Sequence, residues 1–67
     1  MKSAELRKIL RQLELSQLGL ARLFQRGDRT IRSWALGKHP IPPEAAFLLR
    51  ALRDGKIKIK DVEGYHD

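Results

Sequence analysis

Two arginines and a serine in the middle of the chain are spaced so that one helix would carry them on the same side. At about 100° per residue around a helix, Arg29, Arg32 and Ser33 lie opposite a set of apolar side chains. An arginine guanidinium can bind guanine O6 and N7 with two hydrogen bonds, and a serine hydroxyl can bond to any base. The exposed side of such a helix therefore has the chemistry needed to read base edges in the major groove of DNA.

The helix that would carry these residues is predicted over Asp28–Leu36. Its apolar positions recur with the helical period, which is the main sequence signal for an amphipathic helix. They are Ile31, Trp34 and Ala35. Gly37 is suited to end the helix, because glycine adopts the left-handed conformation of a helix C-terminus without steric cost. We expect Trp34 to pack in the core rather than to stack on a base.

A second helix is predicted directly before it, over residues 17–25. Ser16 is a suitable N-cap for this helix, and Gly27 and Asp28 break its helical pattern at the other end. We expect Asp28 to form the turn and to cap the next helix. The inward side of the second helix carries Leu20, Ala21 and Phe24. Two helices with a short turn between them predict a helix-turn-helix.

Two further helices flank this pair. The first follows Ser3, a candidate N-cap, and its apolar stripe continues to residues 14–15; the last has Pro43 in its first turn and ends at Gly55. The two stripes are Leu6, Ile9, Leu10 and Leu13, and Ala45, Leu48, Leu49 and Leu52. The chain is therefore predicted to be all-α, a compact four- to five-helix bundle. A helix-turn-helix domain would span residues 1–55, and a short C-terminal extension residues 56–67.

The C-terminal extension alternates polar and apolar residues over positions 56–62, which fits either a short strand or the approach to a last helical turn. Phe47 lies on the side of the fourth helix opposite its apolar stripe, where we expect an aromatic side chain to be covered. The extension could fold back so that Ile57, Ile59 or Val62 covers Phe47, or Phe47 could meet its twin in a homodimer. The alternating segment could also pair across a twofold axis as an antiparallel ribbon.

The net charge is +6, from 14 Lys and Arg against 8 Asp and Glu. The excess is central: residues 22–38 hold five basic side chains and one acid, whereas residues 54–67 hold three lysines and four acids. A basic surface attracts polyanions, nucleic acid above all. We expect the basic side chains of the first helix and both histidines to be ordinary solvated groups. They are Arg7, Lys8, Arg11, His39 and His66.

The composition disfavours several other function classes. The chain has no cysteine, so disulfides, thiolate metal sites and cysteine nucleophiles are excluded. It shows neither a Ser-His-Asp arrangement nor a glycine-rich phosphate loop. We therefore expect no enzymatic activity, metal, cofactor or small-molecule ligand. Because no apolar run approaches the ~20 residues of a membrane span, we expect a soluble cytoplasmic protein without a membrane partner.

Three strings in this sequence, SQLGLARLF at residues 16–24, RTIRSW at residues 29–34 and Gly37-Lys38, carry a family resemblance. They are similar to the Cro/repressor-type (lambda-repressor-like, XRE-type) family of helix-turn-helix DNA-binding domains, over residues 5–52. Ala21 matches the family's small residue at the helix crossing. Ile31 matches the buried branched residue of the recognition helix, and Trp34 the aromatic residue that closes it.

The resemblance implies a repressor-like regulator that binds double-stranded DNA sequence-specifically and is associated with the nucleoid. The helix Asp28–Leu36 would enter the major groove, with Arg29, Arg32 and Ser33 on the bases. Phosphate contacts, which position a domain without specifying sequence, are expected from Gln17, Arg26 and Lys38. Members of the family commonly bind as twofold dimers on half-sites about 34 Å apart, so a homodimer is a possible partner state.

The turn departs from the family pattern. The family usually has glycine directly after its second helix, where Gln25 stands here, and the glycine comes later, at Gly27. Either Gln25 is left-handed, or the turn is redrawn and the third helix begins at Asp28. In the second case it stays open whether Asp28 faces DNA or only caps the helix. The alternative function is an antitoxin-like or other protein-interaction module on the same fold. Such a module would have a tail that binds a partner protein, or an exposed apolar patch.

Overall fold

The computed structural model describes residues 1–64 of the chain, with side chains described up to Val62. In this range the chain forms five α-helices and no strand. The helices are α1 (Ser3–Gln12), α2 (Gln17–Phe24), α3 (Asp28–Leu36), α4 (Pro43–Arg53) and α5 (Ile59–Gly64). The predicted small all-α bundle is confirmed. His66 lies outside the described residues, so its expected exposure stays a prediction.

One core joins the five helices. α2 packs most extensively on α3, α1 packs on both α3 and α4, and α5 packs on α2. Complete burial of a large aliphatic side chain stabilises a fold by about 1.5–3 kcal/mol. The large side chains that are fully buried are Leu6, Ile9, Leu20, Ile31 and Leu49. Since α1, α2, α3 and α4 all contribute to this set, the core fixes α2 and α3 against the rest of the bundle.

The buried faces of α2 and α4 are shifted from the predicted ones. In α2, Leu23 is buried and Phe24 is only half-buried; in α4, Ala46 is buried and Leu48 is half-buried. α2 contacts α5 as well as α3, so its buried sector is wider than a helix pair alone would need. Phe24 lies at the edge of the buried face of α2 and Leu48 at the edge of the buried face of α4, and both line an open groove.

The ends of α1 also differ from the prediction. Ser3 is the first helical residue instead of the cap; Lys2 is the N-cap residue, and no side chain caps the helix. The helix ends at Gln12, earlier than its apolar stripe suggests, because Glu14 has a left-handed backbone with φ 55°. Leu13, the last residue of the stripe, packs against the core from beyond the helix end.

The C-terminal extension is helical over Ile59–Gly64, so the strand and the ribbon expected as alternatives are wrong within the described residues. The backbone N–H of Lys58 donates to Oδ2 of Asp61 at 2.9 Å. This is the return bond of a capping box, which stabilises a helix start at Ile59. Val62 is buried in the common core, and Ile57 and Ile59 pack against it.

Candidate nucleic-acid interface

The start of α2 has a side-chain cap and leaves two backbone N–H groups without an acceptor among the described residues. Ser16 is its N-cap, as predicted, and the Ser16 hydroxyl accepts a hydrogen bond from the backbone N–H of Gly19 at 2.9 Å. The backbone N–H groups of Gln17 and Leu18 have no acceptor among the described residues. Unpaired N–H groups at a helix N-terminus favour an anion such as phosphate. The side chain of Gln17, predicted to contact phosphate, is exposed beside them.

The turn between α2 and α3 combines the two alternatives that the sequence left open. Gln25 is left-handed, with φ 52° and ψ 43°, and α3 begins at Asp28. The N–H of Arg26 donates to the Ala21 carbonyl at 2.9 Å, and that of Gln25 to the Arg22 carbonyl at 3.3 Å. These are the two bonds of a Schellman motif, which satisfies the last carbonyls of α2.

Gly27, not Asp28, is the N-cap residue of α3, so the predicted capping role of Asp28 is wrong. Gly27 has an extended backbone (φ −64°, ψ 147°), and its carbonyl accepts the N–H groups of Thr30 at 3.1 Å and Ile31 at 3.3 Å. No side chain caps α3. Asp28 stands in the first turn, exposed, where a carboxylate interacts favourably with the helix dipole.

α3 is divided into a buried and an exposed face as predicted. Ile31, Trp34 and Ala35 are buried. Arg29 and Arg32 are exposed, and neither guanidinium has a hydrogen-bond or ion-pair partner among the described residues. Ser33 is half-buried, and Leu36 is 57% exposed. The exposed face therefore offers two unpaired guanidinium groups, a hydroxyl at its edge and an aliphatic side chain.

The exit from α3 repeats the Schellman geometry. Gly37 is left-handed with φ 77°, and its N–H donates to the Trp34 carbonyl at 3.2 Å. The N–H of Lys38 donates to the Ser33 carbonyl at 2.9 Å. Lys38 and His39 are both exposed after the turn. Lys38 is thus held close to the end of the exposed face by a backbone bond to the helix.

Only some of the positively charged side chains form ion pairs. All ion pairs among the described residues involve the end of α4. Two join it to α1, Glu5 to Arg50 at 3.2 Å and Glu5 to Arg53 at 3.4 Å, and the third joins Arg53 to Asp54 at 2.9 Å. The hydrogen bond from Arg50 is the main cause that lowers the pKa of the Glu5 carboxyl, against partial desolvation. The arginines of α2 and α3 have no ion-pair partner among the described residues, so their charge is available to a polyanion.

One contact to α3 was not predicted from the sequence. Arg7, expected to be an ordinary solvated charge, donates a hydrogen bond from Nη1 to the backbone carbonyl of Ala35 near the end of α3. The only sequence signal for this contact is indirect: α3 has no basic residue in its last turn. Lys8 and Arg11, the neighbouring charges on α1, are exposed as expected.

An open groove of about 750 Å³ lies between α2, α4 and α5. Its walls are mostly apolar, with three charged groups among them. The lining residues are Phe24, Arg26, Glu44, Ala45, Phe47, Leu48, Ile57, Asp61 and Val62. Phe47 stays 73% exposed, so the alternative in which Ile57, Ile59 or Val62 covers it is wrong: α5 packs on α2. Arg26, predicted to contact phosphate, is exposed at this groove.

Among the side chains that the structure describes, up to Val62, no three acidic or histidine groups are placed so that they could hold a metal ion. No helix in this part of the chain has the length and apolar character that crossing a membrane requires. Comparison of the chain with protein-family models, curated proteins and solved structures finds no match. The functional argument therefore depends on the geometry of α2, α3 and the turns that bound them.

Proposed function

We propose that this protein binds double-stranded DNA sequence-specifically, with α3 in the major groove, and that it acts as a repressor-like regulator of transcription. The observation that supports this most is the exposed face of α3. Arg29 and Arg32 stand there without partners, on a helix whose other face is locked into the core. Arginine is the side chain most often used to read guanine. The resemblance to the Cro/repressor-type family supports the same function.

The supporting contacts divide into two kinds. Arg29, Arg32 and Ser33 would contact base edges and determine sequence preference. Gln17 and the N–H groups at the start of α2 would bind one phosphate, and Lys38 and Arg26 others. An α3 inserted into the groove would bring the start of α2 towards the backbone, since the first helix of a helix-turn-helix crosses the backbone while the second enters the groove.

The test begins with selection of bound sequences from random duplex DNA, followed by affinity measurements on the selected and a scrambled duplex. Arg29→Ala or Arg32→Ala should cost about 1–3 kcal/mol on the selected duplex and relax the preference at one base position. Arg11→Ala is the matched control, because it removes an exposed, unpaired arginine from α1. If both α3 variants keep the wild-type ratio of selected to scrambled affinity, α3 is not the recognition helix.

The groove beside Phe47 favours a second candidate function, a protein-interaction role for the same fold. Exposed apolar surfaces of this kind mark interaction sites in small soluble proteins. The two functions are separable at Phe47, which lies on α4, whereas the proposed base contacts lie on α3. Arg26 does not separate them, because it is a proposed phosphate contact and also lines the groove. A chain that selects no DNA sequence, yet loses binding of an identified protein partner on Phe47→Ser, would favour the second function over the first.

For the occupant of the groove we propose a second copy of this chain. The charged groups of the groove have both signs, with Arg26 in the turn after α2 and Glu44 at the start of α4. In a twofold interface the same patch meets itself, so each arginine of one copy can face a carboxylate of the other. A homodimer would also supply two recognition helices, and one helix alone reads only a few base pairs.

A further inference from the structure

The two ends of α3 are held differently. Its N-terminus has no side-chain cap, and Gly27 there meets no other part of the protein within 4 Å of the position that a Cβ would take. At its C-terminus, Arg7 of α1 donates a hydrogen bond to Ala35, and Ser3 of α1 lies beside Gly37. This asymmetry leaves the first turn of α3 open, while the last turn is attached to another element of the bundle.

The first contact satisfies a carbonyl that the helix cannot satisfy by itself. The Schellman bonds at the end of α3 use the carbonyls of Ser33 and Trp34. The Ala35 carbonyl comes next, beyond the reach of these bonds, and belongs to a residue with 0% exposure. Arg7 donates to it from α1. A buried carbonyl without a partner is costly, and a cation at a helix C-terminus is also favoured by the helix dipole.

The second contact lies one helical turn away on α1. A Cβ placed on Gly37 would come within 3.3 Å of the Ser3 hydroxyl oxygen. Ser3 and Arg7 are four residues apart, so they lie on the same side of α1. Together they bring the first half of α1 against the last turn of α3 and the left-handed residue that ends it.

We propose that Arg7 is a positioning residue for DNA recognition, acting through the Ala35 carbonyl to fix the direction in which α3 leaves the bundle. This inference rests on the proposed function. It does not require Arg7 to touch DNA. It requires that the end of α3 loosens when the guanidinium is removed, and that the exposed arginines of α3 then lose their alignment with the bases.

The test compares Arg7→Met with Arg11→Met. Both changes remove one arginine from α1 and keep an apolar stem, but the guanidinium of Arg11 has no hydrogen-bond or ion-pair partner among the described residues. Arg7→Met should weaken binding to the selected duplex about fivefold to tenfold and lower the ratio of selected to scrambled affinity, because DNA binding must then supply the free energy of ordering the loosened end of α3. Arg11→Met should leave that ratio unchanged. Arg7→Lys, which restores a cationic donor, should recover part of the ratio.

Amide hydrogen exchange without DNA gives a second readout. In Arg7→Met the N–H groups of Gly37 and Lys38 should exchange faster, because they close the end of α3. Those of Gln25 and Arg26 close α2 with the same pair of bonds and serve as the internal control. Equal effects of Arg7→Met and Arg11→Met on DNA preference, or equal exchange at both turns, would overturn the proposal. If the wild type prefers no duplex, the proposed function fails, and the exchange comparison alone decides whether Arg7 holds the end of α3.

Discussion

In the turn between α2 and α3, Gln25 has the left-handed backbone that favours glycine, whereas Gly27 has an ordinary extended backbone. Gln25 is left-handed at φ 52°, and Gly27 is extended at φ −64°. A left-handed backbone costs a residue with a Cβ about 1–2 kcal/mol, whereas the extended conformation is open to any residue. The turn that joins α2 to α3 therefore contains strain at Gln25 and unused flexibility at Gly27.

Gly27→Ser should stabilise the protein. A serine side chain has free space there, can cap α3, and removes backbone freedom from the unfolded chain, for a combined gain of about 0.5–1 kcal/mol. Thermal unfolding measures this as a higher Tm. Gly37→Ser is the control and should destabilise, because Gly37 has φ 77° and its Cβ would approach Ser3. A lower Tm for Gly27→Ser would contradict the extended N-cap.

Ala21→Leu should destabilise by about 1–3 kcal/mol, because added methylene groups overpack a filled core. Ala21 is 3% exposed on α2, the helix that packs most extensively on α3. Ala4→Leu, on the exposed side of α1, is the matched control and should leave the unfolding free energy nearly unchanged. Trp34→Ala should cost about 3–5 kcal/mol, a large part of the stability of so small a domain. Denaturant titration measures all three, and wild-type behaviour of Ala21→Leu would exclude the proposed helix crossing.

The parts of this fold that depend on local periodicity and end signals could be predicted from the sequence. Ile31, Trp34 and Ala35 recur with the helical period and are buried, and Ser16 and Gly37 occupy the helix ends that their chemistry suits. The bounds of α3 follow from these signals. Each of them acts over one or two helical turns, within the reach of a sequence pattern.

The parts that depend on tertiary contacts could not be predicted. The bond from Arg7 to Ala35 spans 28 positions, and nothing in the neighbourhood of Arg7 distinguishes it from Lys8. In the C-terminal extension, Ile57 precedes the helix and makes the pattern resemble a strand, while Ile59 and Val62 have helical spacing. The position of α5 on α2, which leaves Phe47 exposed, follows from packing that no single helix specifies.

Lys38→Ala should weaken binding to all duplexes alike. A side chain that contacts only phosphate carries no base information, and loss of one phosphate contact should reduce the slope of log affinity against log salt by about 0.9. Lys60→Ala, an exposed lysine in α5, is the charge-matched control and should leave the slope unchanged. Titrations at several salt concentrations measure both. A change in sequence preference for Lys38→Ala would place this lysine on a base instead.

Glu5→Gln should lower the Tm at neutral pH, and the difference from wild type should vanish in acid. The Arg50 hydrogen bond lowers the pKa of folded Glu5 below its ordinary value of 4.5, so the folded state binds its proton less tightly than the unfolded state. The stabilisation is therefore present above pH 4.5 and is lost as pH falls through the lowered pKa. Melting curves from neutral to strongly acid pH measure this. In an Arg50→Met background, which removes the main partner of Glu5, Glu5→Gln should have a smaller pH-dependent effect.

Phe47→Ser should weaken self-association of the protein, because the exposed phenyl ring is the largest apolar group offered by the groove. Leu18→Ser is the matched control, since Leu18 is 51% exposed on α2 but does not line the groove. Truncation after Asp54 is unsuitable, because it would remove Val62 from the core. Sedimentation at increasing concentration measures the monomer–dimer equilibrium of each chain.

A charge exchange tests whether the occupant is a second copy in twofold register. Arg26→Glu alone should weaken the homodimer by placing like charges opposite each other, and so should Glu44→Arg alone. An equimolar mixture of the two variants should form a heterodimer, because every carboxylate of one chain then faces an arginine of the other. Loss of association in the mixture as well would exclude this pairing of Arg26 with Glu44. A wild type that stays monomeric at high micromolar concentration and binds DNA as a single copy would exclude the homodimer itself.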